Sequence, residues 1–356
     1  AATQPVLKSP VLRRRSEFRV IGSETPRVDG LDKSTGRAIF GSDVQVPNQV
    51  AAFVLRSPVM GATAIQIDAE AALDSVGVLD VFPFERGVAV VAKKFWQAQR
   101  AAQLVKVEWG RGVVEGLNTS DLRDAAISRS QESSDFTLKD VGNVEKVFQQ
   151  ENLQSVSLQY SHPFLSHAPM EPQNCTAMVT LDRVKIWVPT QAPTICASLI
   201  QQMFDLPLEN IEIEITMLGG GFGRRSCVDF LLETLQIARL YPDVPVQVQW
   251  TREDDMTMGY YRPQGACSMN GAIDDSGQIV AIHSHLVSQL IFPDIGEQFD
   301  AMFPRMVPEK MRKKLAYAAT GYLSGTSLMG FVEGGDIATC KYSIPNYRYD
   351  FTSSIY

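Results

Sequence analysis

Three features of this 356-residue sequence predict an α+β fold. Strand and helix signals interleave without a regular βαβ rhythm. Residues 266–273, the turn Asp274-Asp275-Ser276-Gly277 and residues 278–288 read as a β-hairpin. Between residues 211 and 240 a strand, a bare glycine loop and a helix follow one another. The length is enough for two domains.

Taken in order, residues 1 to about 25 form a polar lead without periodicity. Residues 115–150 are polar and include the Ser-rich run Ser128-Arg129-Ser130-Gln131-Glu132-Ser133-Ser134-Asp135, which reads as a linker with a helix inside it. From Val156 the pattern returns to strands. Thr190-Gln191-Ala192-Pro193 precedes a helix over 194–204, and Leu206-Pro207-Leu208-Glu209-Asn210 leads into the alternating strand of 211–216. The helix after the glycine loop covers 228–240. No internal repeat is visible.

Composition excludes several classes. The net charge of −7 argues against a nucleic-acid surface. Arg13-Arg14-Arg15 and the basic run 310–314 are short and read as solvated faces. No run reaches the length of a membrane span. No apolar core follows the arginine triplet, so a twin-arginine signal is not present as such. Cys175, Cys196, Cys227, Cys267 and Cys340 lie far apart without C-x-x-C spacing, which favours buried packing over zinc or a cluster; Cys227, beside the loop, has a reactive thiol as its alternative. Of His162, His167, His283 and His285, the last two share a strand face as a metal pair would, but no third ligand stands near them in sequence. Glu253, Asp254 and Asp255 read as a helix start rather than a cation site. Ser-hydrolase chemistry lacks its Gly-x-Ser-x-Gly elbow.

The most informative stretch is Leu218-Gly219-Gly220-Gly221-Phe222-Gly223-Arg224-Arg225. Glycine lets backbone N–H groups approach a ligand, and N–H groups at a helix start favour an anion. A single Phe and two arginines in that setting suggest a large, flat, phosphorylated cofactor. The loop matches neither G-x-G-x-x-G nor the G-K-[ST] ending of a P-loop, so a tight structural turn stands as the alternative. For the arginines the alternative is an ion pair to a neighbouring acid such as Asp229.

This order of segments resembles the molybdenum hydroxylases, the xanthine dehydrogenase and aldehyde oxidase family, in which a T-Q segment, a helix, a strand and a G-G-G-F-G loop surround molybdopterin. Gly-Arg-Arg after the loop, and His167-Ala168-Pro169-Met170-Glu171-Pro172, look most like the branch that holds the isoquinoline 1-oxidoreductase β-subunit. Val28-Asp29-Gly30, residues 38–43, Ser57-Pro58, a strand over 87–92, a helix over 95–105 and a strand over 107–109 resemble the family's α/β hammerhead domain. Residues 246–254 and Ser343-Ile344-Pro345-Asn346 also resemble family segments. The resemblance covers residue 26 to the end. It implies a lead (1–25), a hammerhead domain (26–115), a linker (116–150) and the first, incomplete part of a molybdopterin-binding domain (151–356).

The resemblance also assigns roles. Gln191 points its amide at an oxygen ligand of molybdenum; Gly219, Gly220, Gly221, Phe222 and Gly223 face the cofactor, with Phe222 over the metal; Arg224 and Arg225 pair with the cofactor phosphate or a cytosine dinucleotide extension. Gln191 and Phe222 are the catalytic candidates. Purine-oxidising members carry a glutamate where Ser226 stands, which points to an N-heteroaromatic or aldehyde substrate instead. The family's glutamate base, in a Gly-Glu setting, is matched by neither Gly296-Glu297 nor Gly334-Gly335-Asp336, and the second half of the cofactor-binding region is not in this sequence. The expectation is therefore part of a molybdenum-dependent oxidoreductase that another chain or segment completes. No cysteine pattern holds a cluster, so the expected partners are a separate small [2Fe-2S] subunit and a cytochrome beyond it, in a periplasmic or membrane-associated assembly with the cytoplasm as alternative. A non-catalytic scaffold of the same fold and a nucleotide-binding enzyme are the competing readings.

Overall fold

The computed structural model describes residues 9–114, 116–289, 311 and 342–354. The chain divides into two compact units, Ala1–Ile39 and Phe40–Tyr356. The first holds a 3-10 turn at Arg15–Glu17 and the short helix α1 (Gly30–Ser34). There Asp29 pairs with Arg27 at 2.9 Å and Lys33 at 2.7 Å.

The second unit runs through β1 (Val50–Leu55), β2 (Ala64–Asp68), α2 (Glu70–Leu73), β3 (Val78–Phe84), β4 (Gly87–Ala92), α3 (Phe95–Ala102) and β5 (Lys106–Trp109). Next come α4 (Thr119–Arg129), β6 (Phe136–Val141), α5 (Val144–Phe148), β7 (Gln154–His162), β8 (Leu165–Ser166), β9 (Asn174–Val179) and β10 (Val184–Val188). It continues with α6 (Pro193–Phe204), β11 (Ile211–Ile215), α7 (Asp229–Ala238), β12 (Val246–Gln249), α8 (Arg252–Thr257), β13 (Tyr261–Arg262), β14 (Gly265–Ile273), β15 (Ile279–Ser288) and β16 (Asn346–Ser353). A seven-stranded sheet has the order β11-β10-β9-β12-β1-β4-β3, and a five-stranded sheet the order β6-β16-β15-β14-β7; β8–β13 and β2–β5 are two-stranded ribbons.

Both large sheets are mixed, which is the α+β outcome the interleaved signals predict. In the seven-stranded sheet β10 pairs parallel with β11 and β1 parallel with β12, while β9 runs against both β10 and β12. The Gly-Val-Ala-Val-Val-Ala run of β4 is buried at every position, as a strand covered on both faces must be. Its alternate residues serve different layers. Ala89 and Val91 join Phe230, Leu231 and Leu235 of α7, whereas Val90 and Ala92 meet Ala98, Ala101 and Ala102 of α3. Alanines on α3 let that short helix sit close to the sheet.

Strands from the predicted hammerhead region thus pair into the same sheet as residues 174–249, so the expected boundary near residue 115 does not separate two sheets. The stretch expected as a linker contains the helix read from sequence, α4, but also β6, an edge strand of the five-stranded sheet. The Ser-rich run misleads at Ser130, which is buried: its carbonyl accepts from Ser268 (2.7 Å), and its hydroxyl accepts from Gln159 (3.0 Å). The predicted hairpin is present as β14 and β15, paired antiparallel, with Gly277 at φ +80° in the turn. No helix among the described residues is long and apolar enough to cross a membrane.

Candidate cofactor site

Parallel pairing of β10 with β11 brings two distant segments together. Val188 lies opposite Ile215, so Pro189-Thr190-Gln191 and the glycine loop leave the sheet side by side. The crossover between them is α6, opened by Pro193 at its first turn and closed by Asp205 in the left-handed region (φ 57°). Because β9 runs against β10, its entry at Asn174 reaches the same end, preceded by His167–Pro172. Crevices beyond the carboxyl ends of parallel strands are where open α/β sheets bind ligands.

Phe222 crowns the loop at φ 53°, 73% exposed, between Gly220 (φ 101°) and Gly223 (φ 92°). Two of the glycines are bare for internal reasons. A Cβ on Gly219 would stand 2.3 Å from that of Glu171, and one on Gly221 would stand 2.5 Å from Oε1 of Gln191. Gln191 Oε1 accepts the N–H of Gly223 at 3.1 Å, and only the oxygen of the amide can do so. Its Nε2 therefore remains as a donor on an exposed side chain. The N–H groups of Gly220, Gly221 and Phe222 find no acceptor among the described residues. The outward face of the loop thus offers uncharged donors and one aromatic ring, a set that suits acceptor oxygens on a flat group.

The arginines do not contribute to that face. Arg224 forms a bidentate pair with Asp229 at 2.8 and 2.7 Å, and its guanidinium lies over the rings of Trp250 and Tyr260. Burial would raise the Asp229 carboxyl, but Arg224 beside it holds it below the ordinary carboxylate range. Arg225 is fully buried, donating to the carbonyls of Gly220 (2.8 Å), Pro189 (3.2 Å) and Glu171 (2.7 Å) and to Glu171 Oε2 (3.1 Å). Burial lowers its pKa. Both guanidinium groups are thus bonded inside the fold, Arg224 to the very acid named as its alternative.

Glu171, which carried no role in the sequence reading, proves central. Its Oε1 accepts from the N–H of Ser42 (3.0 Å) and from Asn174 (2.8 Å), its Oε2 from the N–H of Gly219 (2.9 Å) and from Arg225. The only sequence signal was its place in the His167–Pro172 run.

Other candidates settle as packing. Thr251 and Asp254 form a capping box at the start of α8, and Asp255 pairs with Arg252 at 2.7 Å, as the helix-start reading expects. His283 bonds Asp350 (2.8 Å), a carboxylate brought by parallel pairing of β15 with β16; His285 bonds the Ser130 carbonyl and the Thr352 hydroxyl (2.9 Å each). A recess of about 450 Å³ lies over this row, lined also by Ser157, Gln159 and Asn270, away from the glycine loop. No group of three or more potential metal ligands occurs among the described residues. Cys175, Cys196 and Cys227 are buried, and burial pushes Cys196 up to about 11. Cys340, Gly296-Glu297 and Gly334-Gly335-Asp336 lie outside the described residues.

Residues 128–292, which include Gln191 and the whole loop, match the family described as the molybdopterin cofactor-binding domain. The chain is similar to subunits of molybdenum hydroxylases. The β-subunit of isoquinoline 1-oxidoreductase from Brevundimonas diminuta is 28% identical over 298 residues, 81% of this chain and 38% of that protein. A nicotinate dehydrogenase subunit from Pseudomonas putida is 26% identical over 281 residues, 76% of this chain and 23% of that protein. The crystal structure of quinoline 2-oxidoreductase from Pseudomonas putida 86 superposes with a TM-score of 0.59 at 21% identity, covering 78% of this chain and 42% of that one. Aldehyde oxidoreductase from Desulfovibrio desulfuricans reaches 0.63 at 16% identity over 94% of this chain and 39% of its own. These two share the fold. The chain spans less than half the length of each of these relatives.

Proposed function

We propose that this chain is part of the large subunit of a molybdenum hydroxylase that oxidises an N-heteroaromatic or aldehyde substrate with water as oxygen source. The observation that carries the reading is the donor set at the ends of β10 and β11: the Gln191 amide, three backbone N–H groups without an acceptor among the described residues, and exposed Phe222. Bound there, molybdopterin supplies a two-electron acceptor and the site of oxygen transfer. Gln191 would help to hold the cofactor through Nε2, a donor that adds no charge. Gly220, Gly221 and Phe222 would hold it through their N–H groups, and the exposed ring of Phe222 would limit how a flat substrate approaches. The fixed donors cost no reorganisation during the reaction, which is how such groups accelerate it.

The finer parts of the proposal concern what surrounds this chain. The cofactor carries a cytosine dinucleotide, whose phosphates are met by backbone N–H groups or by residues beyond these, since Arg224 and Arg225 face inward. The glutamate base and the second half of the cofactor site come from another segment or chain. Electrons leave one at a time through a small [2Fe-2S] subunit to a cytochrome, in a periplasmic or membrane-associated assembly.

Metal and pterin analysis of the protein purified from its native source tests the reading. Molybdenum, a pterin released on denaturation and a copurifying iron–sulfur protein that bleaches with substrate are expected. Absence of molybdenum and pterin, with tight binding of NAD or ATP, overturns it.

A further inference from the structure

We propose that Glu171 and Arg225 form a positioning pair that sets the glycine loop and Gln191 in one geometry before any cofactor arrives. Four segments meet at this pair. Glu171 exchanges two bonds with Gly219, its N–H donating to the Gly219 carbonyl (3.1 Å) and its Oε2 accepting the Gly219 N–H (2.9 Å). Its other oxygen holds Ser42 and Asn174. Arg225 carries the link onward. Its side chain donates to the carbonyls of Pro189 and Gly220, while its own carbonyl accepts from the N–H of Gln191 (3.0 Å) and the hydroxyl of Thr190 (3.2 Å). The segment carrying Gln191 and the loop are thus tied to one buried ion pair, and Gly219 is bare so that Glu171 can stand against it.

The ligand-facing donors are not what this pair touches. It acts through them, which makes both residues positioning residues. The inference rests on the reading that molybdopterin sits at the loop, but its structural half does not. A buried pair that ordered only the core would affect every element alike; a pair that positions the loop acts on 187–192 and 217–226 before the strands behind them.

The test is hydrogen exchange on the full-length protein, made in cells unable to synthesise molybdopterin, with pterin content measured on the same protein from ordinary cells. In Glu171→Gln, exchange in peptides covering 187–192 and 217–226 is expected to rise roughly tenfold, while β9 and β12 change by less than about twofold. Pterin content is expected to fall in parallel. Gly219→Ala tests the same link without uncovering a charge: its Cβ would meet Glu171 at 2.3 Å and push the loop off its anchor. It gives the same local pattern, and serves if Glu171→Gln does not fold. Uniform acceleration, no acceleration, or loosened loops with undiminished pterin each overturn the proposal. Wild-type protein without pterin but with the local pattern sinks the cofactor reading and leaves the pair's hold on the loop standing.

Discussion

At the ends of β10 and β11 the Nε2 of Gln191 and the N–H groups of Gly220, Gly221 and Phe222 have no acceptor among the described residues, and the ring of Phe222 is exposed. On the five-stranded sheet, His283 and His285 look more like ligands, yet both are bonded within the fold, to Asp350 and to Ser130 and Thr352. The two regions use the same polar materials. In one the charges are turned inward and neutral donors left open; in the other each imidazole is bonded to the chain. What distinguishes a candidate site is the hydrogen-bonding capacity left over after folding rather than the residue types present.

Removing an arginine from each region gives the widest expected separation. Arg225→Met leaves Glu171 buried without its cation and strands the carbonyls of Pro189 and Gly220, a change that typically costs about 3–5 kcal/mol. Arg348 is partly exposed, and Asp350 keeps Thr137 and His283 as partners, so Arg348→Met should cost about 1 kcal/mol or less. Urea midpoints of the two variants measure the gap. Equal losses would mean the glycine-loop end is no more tightly anchored than the histidine row.

The second contrast is chemical. Gln191→Ala in the complete enzyme should lower turnover by roughly 10²-fold, the usual effect of one lost donor at a reacting centre, with molybdenum content retained. Gly221→Val should instead lower cofactor content. The first atoms its side chain meets are those of Gln191, so it displaces the amide and the loop together. His283→Gln should leave both quantities unchanged. Full activity in Gln191→Ala, assayed beside its molybdenum content, would remove this residue from the site.

Local patterns were legible and long-range ones were not. The hairpin of β14 and β15 follows from alternation around a Gly turn, and the glycine loop from the strand and helix that flank it. The Arg224–Asp229 pair lies five residues apart and was visible as an alternative. Glu171 was hidden because its partners Ser42, Gly219 and Arg225 stand 129, 48 and 54 residues away. The shared sheet was hidden for the same reason: the β1–β12 pairing joins Val50 to Val246, and no local propensity encodes a parallel partner so distant. Composition misled at 128–135, where Ser130, in a run that resembles a linker, is buried and hydrogen-bonded to the five-stranded sheet.

The smallest expected effect is on pH, and it belongs to the hairpin. Burial lowers the pKa of His285, whose ring is bonded to the Ser130 carbonyl and the Thr352 hydroxyl. An unfolded imidazole takes up its proton near pH 6.5, while the buried one resists until lower pH. Below that point the unfolded chain binds more protons than the folded one, so this contribution is fully present above the unfolded pKa and fades as pH falls through it towards the folded value. His162 and His167 are also lowered by burial and add a loss of the same sign. Hydrogen exchange in peptides from β14 and β15, corrected for the intrinsic rate, should therefore quicken between about pH 7.5 and about pH 5.5. In His285→Gln the amide can still bond its neighbours but cannot titrate, and the hairpin's pH dependence should shrink towards the level set by the other histidines. If it persists undiminished, the buried His285 ring is not what makes that sheet sensitive to acid.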